Sequence, residues 1–399
     1  MSPLVTALLP VLATLFILIA GNGIITTLTP LRANLEGFSQ TQIGFIGSAF
    51  FAGMLAGTFL APGIVRRAGH IRAFAAYAAI AAVAVLAMAT IVSPWLWAPM
   101  RAVMGFAFAG LFAILESWIT SKADSSNRGR MLAVYNMVHF SGSATGQQAL
   151  RFADPKDFQL FSASAMFMML SLVPMAMTRA EPPPLPPKGR LEIASMARMA
   201  PVAAFGIGMV GWANGTFWSL VPAFVERLDF GVGTVASFMT AAILGSATGP
   251  YPLGRLSDRG DRRIVIAGTA AAAAVIEAAI VVSGTPSAAM LFAFGFALGL
   301  TNPVLYPLLT AHAVDRMGSE KAVAISSTLL FIYCIGAIAG PMIASTLMTR
   351  WGDPMLFVHN AAVHALMAAF VVWRIVVRAP AVQSPPTDEA EKRPPGTLG

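Results

Sequence analysis

Long apolar runs recur along nearly the whole chain, and each of them is long enough to cross a lipid bilayer. A membrane-crossing helix needs roughly 20 mostly apolar residues. Twelve such runs can be placed in the 399-residue sequence, which predicts an all-α polytopic membrane protein with twelve transmembrane helices. The predicted spans are residues 5–29, 41–65, 71–92, 96–120, 131–150, 159–178, 199–224, 234–254, 264–284, 288–311, 322–347 and 355–377.

The composition excludes the common soluble classes of protein. Charged residues make up 11% of the chain, whereas a soluble domain typically carries about 25%. The net charge of +8 does not indicate nucleic-acid binding, because the basic residues occur as short clusters between apolar runs, as in membrane proteins. A single cysteine, Cys334, excludes an internal disulfide and a cysteine-based metal site. We found no catalytic or nucleotide-binding motif, so the sequence predicts no enzyme, no cofactor and no nucleic-acid partner.

The basic residues also predict how the chain crosses the membrane. If the N-terminus is cytoplasmic, the inner loops and the tail hold twenty of the 26 Lys and Arg residues, and the outer loops hold five. Cytoplasmic loops of membrane proteins carry this kind of excess. We therefore expect a multi-pass protein of the inner (plasma) membrane with both termini in the cytoplasm, and we expect it to be a monomer.

The chain divides into two halves at its longest polar connection. Residues 179–198 are rich in proline, which favours an extended cytoplasmic linker. This linker separates a predicted N-terminal six-helix bundle, residues 1–178, from a predicted C-terminal six-helix bundle, residues 199–378. Residues 379–399 are predicted to form a disordered cytoplasmic tail.

An internal repeat relates the two halves at a shift of 192 residues. Because both halves begin on the same side of the membrane, the repeat is predicted to be parallel. The matching positions are Asn22, Gly23 and Pro30 against Asn214, Gly215 and Pro222, and Gly53 and Gly57 against Gly245 and Gly249.

Three short motifs resemble those of the major facilitator superfamily. Residues 254–259 resemble its loop motif after the eighth helix, residues 101–105 its fourth-helix motif, and residues 336–341 its helix-bending motif. The resemblance implies a transporter whose first, fourth, seventh and tenth helices line a central cavity. It also implies that the loop motif acts in gating, through Gly254, Arg255, Asp258 and Arg259. Further segments are similar to the YcaD-like branch, namely Glu116-Ser117, residues 127–130, and Gly142 with Gly146-Gln147.

Three charged residues stand out inside the predicted spans, away from the span ends or on a candidate cavity helix, where a charge costs on the order of 2.5–3.5 kcal/mol on insertion. Arg101 and Glu116 share a broad face of the fourth helix, at its opposite ends. We interpret both as candidates for proton coupling. For Glu116 the reason is that desolvation favours the neutral form of its carboxyl group. The alternatives are that Arg101 extends to the outer headgroups and that Glu116 pairs with Arg128 or Arg130. Glu277 lies in the peripheral ninth helix, and we interpret it as structural.

Polar side chains within the spans predict a substrate cavity with few charges. On the fifth helix Asn136, His139, Ser143 and Gln147 share one face, and His139 can change its charge near neutral pH. We interpret His139 as a third candidate for proton coupling. The alternative for all these positions is helix packing through small and polar side chains. The predicted cavity residues are Asn22, Thr26, Asn136, Gln147, Asn214, Trp218, Asn302 and Tyr306.

Together these features predict a secondary active transporter that moves a small solute by alternating access and is coupled to protons. Two alternatives stay open from the sequence. One is an uncoupled facilitator, and the other is a membrane receptor or scaffold that keeps the transporter fold without transporting a solute.

Overall fold

Long α-helices form almost the whole of the computed structural model, which describes residues 3–121, 128–178, 183, 191–284 and 286–377. Over these residues the chain contains no β-strand. The long helices, in chain order, are α1 (Pro3–Leu35), α2 (Gln40–Ala68), α3 (His70–Thr90), α4 (Pro94–Ser121), α5 (Arg128–Ala149), α6 (Phe158–Leu170), α7 (Pro201–Glu226), α8 (Val232–Thr248), α9 (Arg262–Ser283), α10 (Ala288–Met317), α11 (Ala322–Trp351) and α12 (Met355–Val377). Shorter helices cover Leu172–Ala176, Ile193–Met199 and Pro250–Ser257, and 3-10 turns cover Leu150–Phe152 and Ser319–Lys321.

Most of these helices are suited to a membrane. Within the described parts of the chain, 10 stretches are long and apolar enough to cross a bilayer, or 11 if the bent pair Ile193–Met199 and α7 counts as one span. Helix α5 does not belong to this set, because it carries Arg130, Asn136, His139 and several other polar residues. The predicted all-α polytopic fold is confirmed, whereas the twelfth span stays a prediction.

Parts of the predicted linker and tail lie outside the described residues. Of residues 179–198, the structure describes Pro183 and residues 191–198, which include the helix Ile193–Met199 next to α7. The predicted tail, residues 379–399, lies outside the described residues, as does Asn127 of the segment that is similar to the YcaD-like branch.

Glycines bring the helices into backbone contact at equivalent places in both halves. A Cβ added to Gly53 of α2 would collide with the backbone of α4, and one added to Gly245 of α8 would collide with the backbone of α10. Likewise Gly142 holds α5 against α1, and Gly336 holds α11 against α7. Small residues permit such close approach between membrane helices. The sequence repeat therefore corresponds to equivalent packing in the two halves.

The two halves meet along a few helices. Helix α2 packs against α11, α5 packs against α8, and both α1 and α2 contact α7. Hydrogen bonds between the halves concentrate where α1 and α7 end and α2 and α8 begin, which we call the sealed end. The opposite end, where α4 ends and α5 begins, we call the linker end. The described residues of the first half that make these bonds are Asn34 (to Glu226 and Arg227), Gln40 (to Asp353), Thr41 (to Thr349), Ser48 (to Ile338), Gln148 (to Thr240) and Arg151 (to Gly233 and Ser237).

Candidate substrate cavity and gates

Glu116 of α4 faces the second half of the molecule. Its side chain is exposed, although the residue lies within a stretch that is apolar enough to span a membrane. Tyr135 of α5 and Tyr306 of α10 both lie within electrostatic range of its carboxylate. Because α10 belongs to the second half, Glu116 borders the space between the halves. The structure thus brings together two residues that the sequence singled out separately, Glu116 and Tyr306.

A second tyrosine connects Tyr306 with α7. The rings of Tyr306 and Tyr333 pack edge to face, with their centroids 5.6 Å apart, and Tyr333 of α11 lies beside the Asn214 side chain. Asn214, a predicted cavity residue, therefore joins the same polar cluster. Sequence reasoning missed Tyr135 and Tyr333. The signal that could have found them is the rarity of tyrosine, because the chain has only 5 of them and a buried hydroxyl group needs a partner.

The predicted polar stripe on α5 divides into two parts. Asn136 is exposed, and His139 is half-buried with its ring centroid 6.3 Å from those of Phe112 and Tyr135. Gln147 is fully buried instead, and its side-chain amide donates to the Gly23 carbonyl of α1 at 3.1 Å. Asn136 and His139 therefore lie toward the Glu116 side, whereas Gln147 belongs to the packing of α5 against α1.

The other predicted cavity residues do not form one cluster. Asn22 of α1 is half-buried, and its side-chain oxygen has no hydrogen-bond partner. Asn302 of α10 is 4% exposed and contacts the hydroxyl of its neighbour Thr301 at 3.4 Å. Thr26 and Trp218 instead border a small cavity near the sealed end, together with Arg101.

Arg101 occupies a different place from Glu116, although both belong to α4. It is 6% exposed, and its guanidinium carbon lies 4.4 Å from the centroid of the Phe50 ring. It points toward Trp218 and Ser219 of α7, across the contact between the two halves. The two charged side chains of α4 therefore border separate spaces, and Arg101 does not extend into solvent.

The loop motif after α8 forms an ion-pair network at the linker end. Asp258 pairs with Arg262 at 2.7 Å, and Arg262 also bonds Asp315 at 2.5 Å. Asp258 thus pairs with the first residue of α9, not with Arg255 or Arg259. Arg262 lies four residues after Asp258, and its side chain reaches back to the Asp258 carboxylate. Arg255 donates to the Tyr251 hydroxyl at 3.0 Å instead. Gly254 has open space around it, and Arg259 borders an open groove between α9 and α10.

Asp261, in the same loop, caps the N-terminus of α9 with its side chain. Its carboxylate accepts the backbone N–H of Arg263 at 3.0 Å and pairs with the guanidinium of that residue at 2.6 Å. Burial alone would raise the pKa of Asp261, but the hydrogen bonds and charge of Arg263 outweigh this effect and lower the pKa below its ordinary value. Arg263 is 2% exposed, so this pair anchors the start of α9.

The described residues contain no group of three or more His, Cys, Asp or Glu side chains that could hold a metal ion. Two buried histidines of the second half have side-chain partners on neighbouring helices. His364 of α12 contacts Glu277 of α9 at 2.8 Å, and Trp212 of α7 donates to His359 of α12 at 2.7 Å. These contacts pack α12 against its neighbours, away from the space beside Glu116.

Apolar helices in two equivalently packed halves, with a polar space between them, define a membrane-transporter fold. The family model of the Major Facilitator Superfamily matches residues 2–147 and 203–398, and the chain belongs to that superfamily. It is therefore a transporter rather than an enzyme, and its family implies a small-molecule substrate and a membrane location.

Individual relatives agree with this assignment. An uncharacterized MFS-type transporter of Yersinia pestis is 26% identical over 373 residues, which cover 91% of this chain and 93% of the relative. The uncharacterized MFS-type transporter YcaD of Escherichia coli is 27% identical over 358 residues, which cover 88% and 91%. The predicted resemblance to this branch is thereby confirmed. The crystal structure of the nucleoside transporter NupG aligns with a TM-score of 0.73 at 14% identity, over 93% of this chain and 97% of that one, so it shares the fold.

Proposed function

We propose that the protein is a proton-coupled secondary transporter that carries a small solute across the inner membrane by alternating access. The uneven contact between the halves is the observation that supports this most. Hydrogen bonds join the halves at the sealed end, whereas Glu116 borders an accessible space toward the linker end. A transporter that rocks one half against the other around a central site needs such a closed end and an open end. We also infer that it acts as a monomer, without a cofactor or a nucleic-acid partner.

The excess of basic residues in the predicted inner loops supports an orientation with both termini in the cytoplasm. With this orientation the sealed end faces outward. Reporter fusions after Arg198 and at the C-terminus should report the cytoplasm, and a fusion after Asp229 should report the outside. An outside signal at Arg198 would contradict both the orientation and the six-plus-six division.

Glu116 is the residue that we assign to proton coupling. It borders the accessible space and acts electrostatically on Tyr135 and on Tyr306 of the other half. A carboxyl group at this position can take up a proton from the open side and keep it while the halves rock, because the loss of hydration favours its neutral form. His139, one helical turn from Tyr135, is placed to adjust this proton transfer, while the Asp258–Arg262–Asp315 network controls the linker end.

The coupling test needs a substrate, which a thermal-shift screen of the purified protein against metabolites and drugs would supply. In proteoliposomes with an imposed pH gradient, Glu116→Gln should abolish accumulation of that solute but keep counterflow exchange, because the amide mimics the protonated acid. Glu320→Gln, on an exposed turn, is the matched control and should accumulate like the wild type. If Glu116→Gln still concentrates the solute, proton coupling through Glu116 is wrong.

A further inference from the structure

Arg101 is a buried cation with two guanidinium nitrogens that make no hydrogen bond to the described residues. It is 6% exposed, and its Nε and Nη1 atoms are buried without a hydrogen-bond partner. A guanidinium presents five N–H donors and keeps its charge in proteins. The contact with the Phe50 ring covers one face of the group, but such a contact replaces only part of the lost hydration. The in-plane donors of Arg101 therefore still need an acceptor.

The acidic side chains of the sealed end do not supply this acceptor. Glu36 pairs with Arg32 at 2.7 Å, Glu226 accepts from Asn34, and Asp353 pairs with Arg227. In the described part of the chain, none of the ion pairs includes Arg101. Over the described residues, the chain therefore supplies no acceptor for Nε and Nη1, and a ligand from outside the chain can fill that role.

A small cavity lies beside the guanidinium, and α1, α2, α4 and α7 enclose it. Three of its lining residues, Thr26, Trp218 and Ser219, carry groups that can donate hydrogen bonds. The Thr29 hydroxyl donates to the Ile25 carbonyl, and no carboxylate lines the cavity. The remaining space has room for about one water-sized group. A small anion suits this chemistry and this size, whereas a cation or a bulky solute does not.

We infer that Arg101, Thr26, Trp218 and Ser219 form a binding site for a small monovalent anion of the size of a halide ion. Thr26 and Arg101 come from the first half, and Trp218 and Ser219 come from the second. The site is therefore complete only while the sealed end is closed. An anion that binds there stabilises the sealed state over the state in which these residues separate. This conclusion does not depend on proton coupling.

Thermal unfolding of the purified full-length protein tests the site without a transport assay. Sodium chloride and sodium acetate are titrated separately against sodium isethionate, a bulky sulfonate, at constant sodium concentration. We expect a saturable rise in Tm of roughly 2–5 °C with chloride. A response to chloride but not to acetate identifies a halide site, and a response to acetate alone would contradict a site of this size.

Three variants separate this site from a general salt effect. Arg101→Gln should lose the anion response, whereas Arg66→Gln, at an exposed arginine of the linker end, should keep it. Trp218→Phe keeps an aromatic ring but removes the indole N–H donor, so it should weaken the apparent affinity for the anion several-fold. This variant tests the site if Arg101→Gln does not fold. Equal responses to all three salts, or an unchanged response in Arg101→Gln and Trp218→Phe, would overturn the site.

Discussion

The two halves of the molecule differ in whether a buried ionisable side chain has a hydrogen-bond partner. In the first half, Arg101 lies beside a small cavity that it shares with α7, and its Nε and Nη1 atoms have no hydrogen-bond partner. In the second half, Glu277 is fully buried and contacts His364 at 2.8 Å. The sequence marked Arg101 and Glu277 alike, as charges within predicted spans. Their surroundings show that burial alone does not distinguish a residue that packs helices from a residue that binds a ligand.

The free energy of burying a charge explains the difference. Removing an ion from water costs several kcal/mol even after the protein relaxes. Glu277 recovers part of this cost from His364, which α12 holds against α9, so the pair can serve packing alone. Arg101 recovers about 0.5–2 kcal/mol from a cation–π contact, which leaves most of the cost to an anion from outside the chain. Whether the chain itself supplies a hydrogen-bonding partner thus distinguishes the two buried side chains.

The largest expected effect comes from breaking the pair in the second half. His364→Leu leaves the Glu277 carboxylate buried without its partner, and it should lower the free energy of unfolding by about 3–5 kcal/mol. Denaturation of the purified protein in mixed micelles measures this loss. The double variant Glu277→Leu with His364→Leu should recover more than half of it, because an apolar pair can replace a buried ion pair. Losses that simply add in the double variant would show that the two residues do not interact energetically.

A smaller effect of opposite sign is expected in the first half. Arg101→Met removes a charge for which the described residues provide no ion-pair partner, and in isethionate buffer it should raise the free energy of unfolding by about 1 kcal/mol. The same denaturation measurement applies, with Arg66→Met as the control for a general loss of positive charge. If Arg101→Met destabilises the protein as much as His364→Leu does, Arg101 has an internal partner and the comparison between the halves fails.

The smallest effect belongs to the ion pair at the start of α9. Asp261→Asn keeps a side-chain oxygen for the cap and for Arg263, which also donates to the Arg374 carbonyl at 3.1 Å. Because only the charge opposite Arg263 is lost, the variant should cost about 0.5–1 kcal/mol at neutral pH. Because the pKa of Asp261 is lowered in the folded protein, its stabilising effect is fully present above the unfolded value of about 3.9. The effect is lost as the pH falls through the lower, folded value.

Denaturation of the wild type and Asp261→Asn at a series of pH values checks this sign. The difference between them should be constant near neutral pH and should shrink below pH about 4. A difference that stays the same at pH 3 would assign the effect to the cap hydrogen bonds rather than to the charge.

Much of the fold could be predicted because the bilayer imposes local rules on the sequence. Apolar length predicted most of the helices, and the glycine pairs of the repeat predicted where helices approach closely, as at Gly53 and Gly245. Helix α5 is an exception to the rule of apolar length, because its polar residues make it less apolar than a typical span. It lies between α1 and α8, where such residues find partners.

The candidate site was less predictable, because a pattern shows which residues share a helix face but not what that face touches. Glu116 and Tyr306 were both singled out, and the structure places them on either side of one space. Gln147 shares a sequence pattern with His139, yet its amide bonds the backbone of α1. Tyr333 links Tyr306 with Asn214, and nothing in its own neighbourhood of the sequence indicates this.

The sequence by itself determined the class of protein, its repeat and its superfamily, since apolar length, loop charge and short motifs can be read from neighbouring residues. Only the tertiary structure decided which end is sealed and which buried charge has a partner. Asn34 and Glu226 are 192 residues apart, and Glu277 and His364 are 87 apart. Contacts over such separations depend on how the helices pack against one another, because packing sets which faces meet.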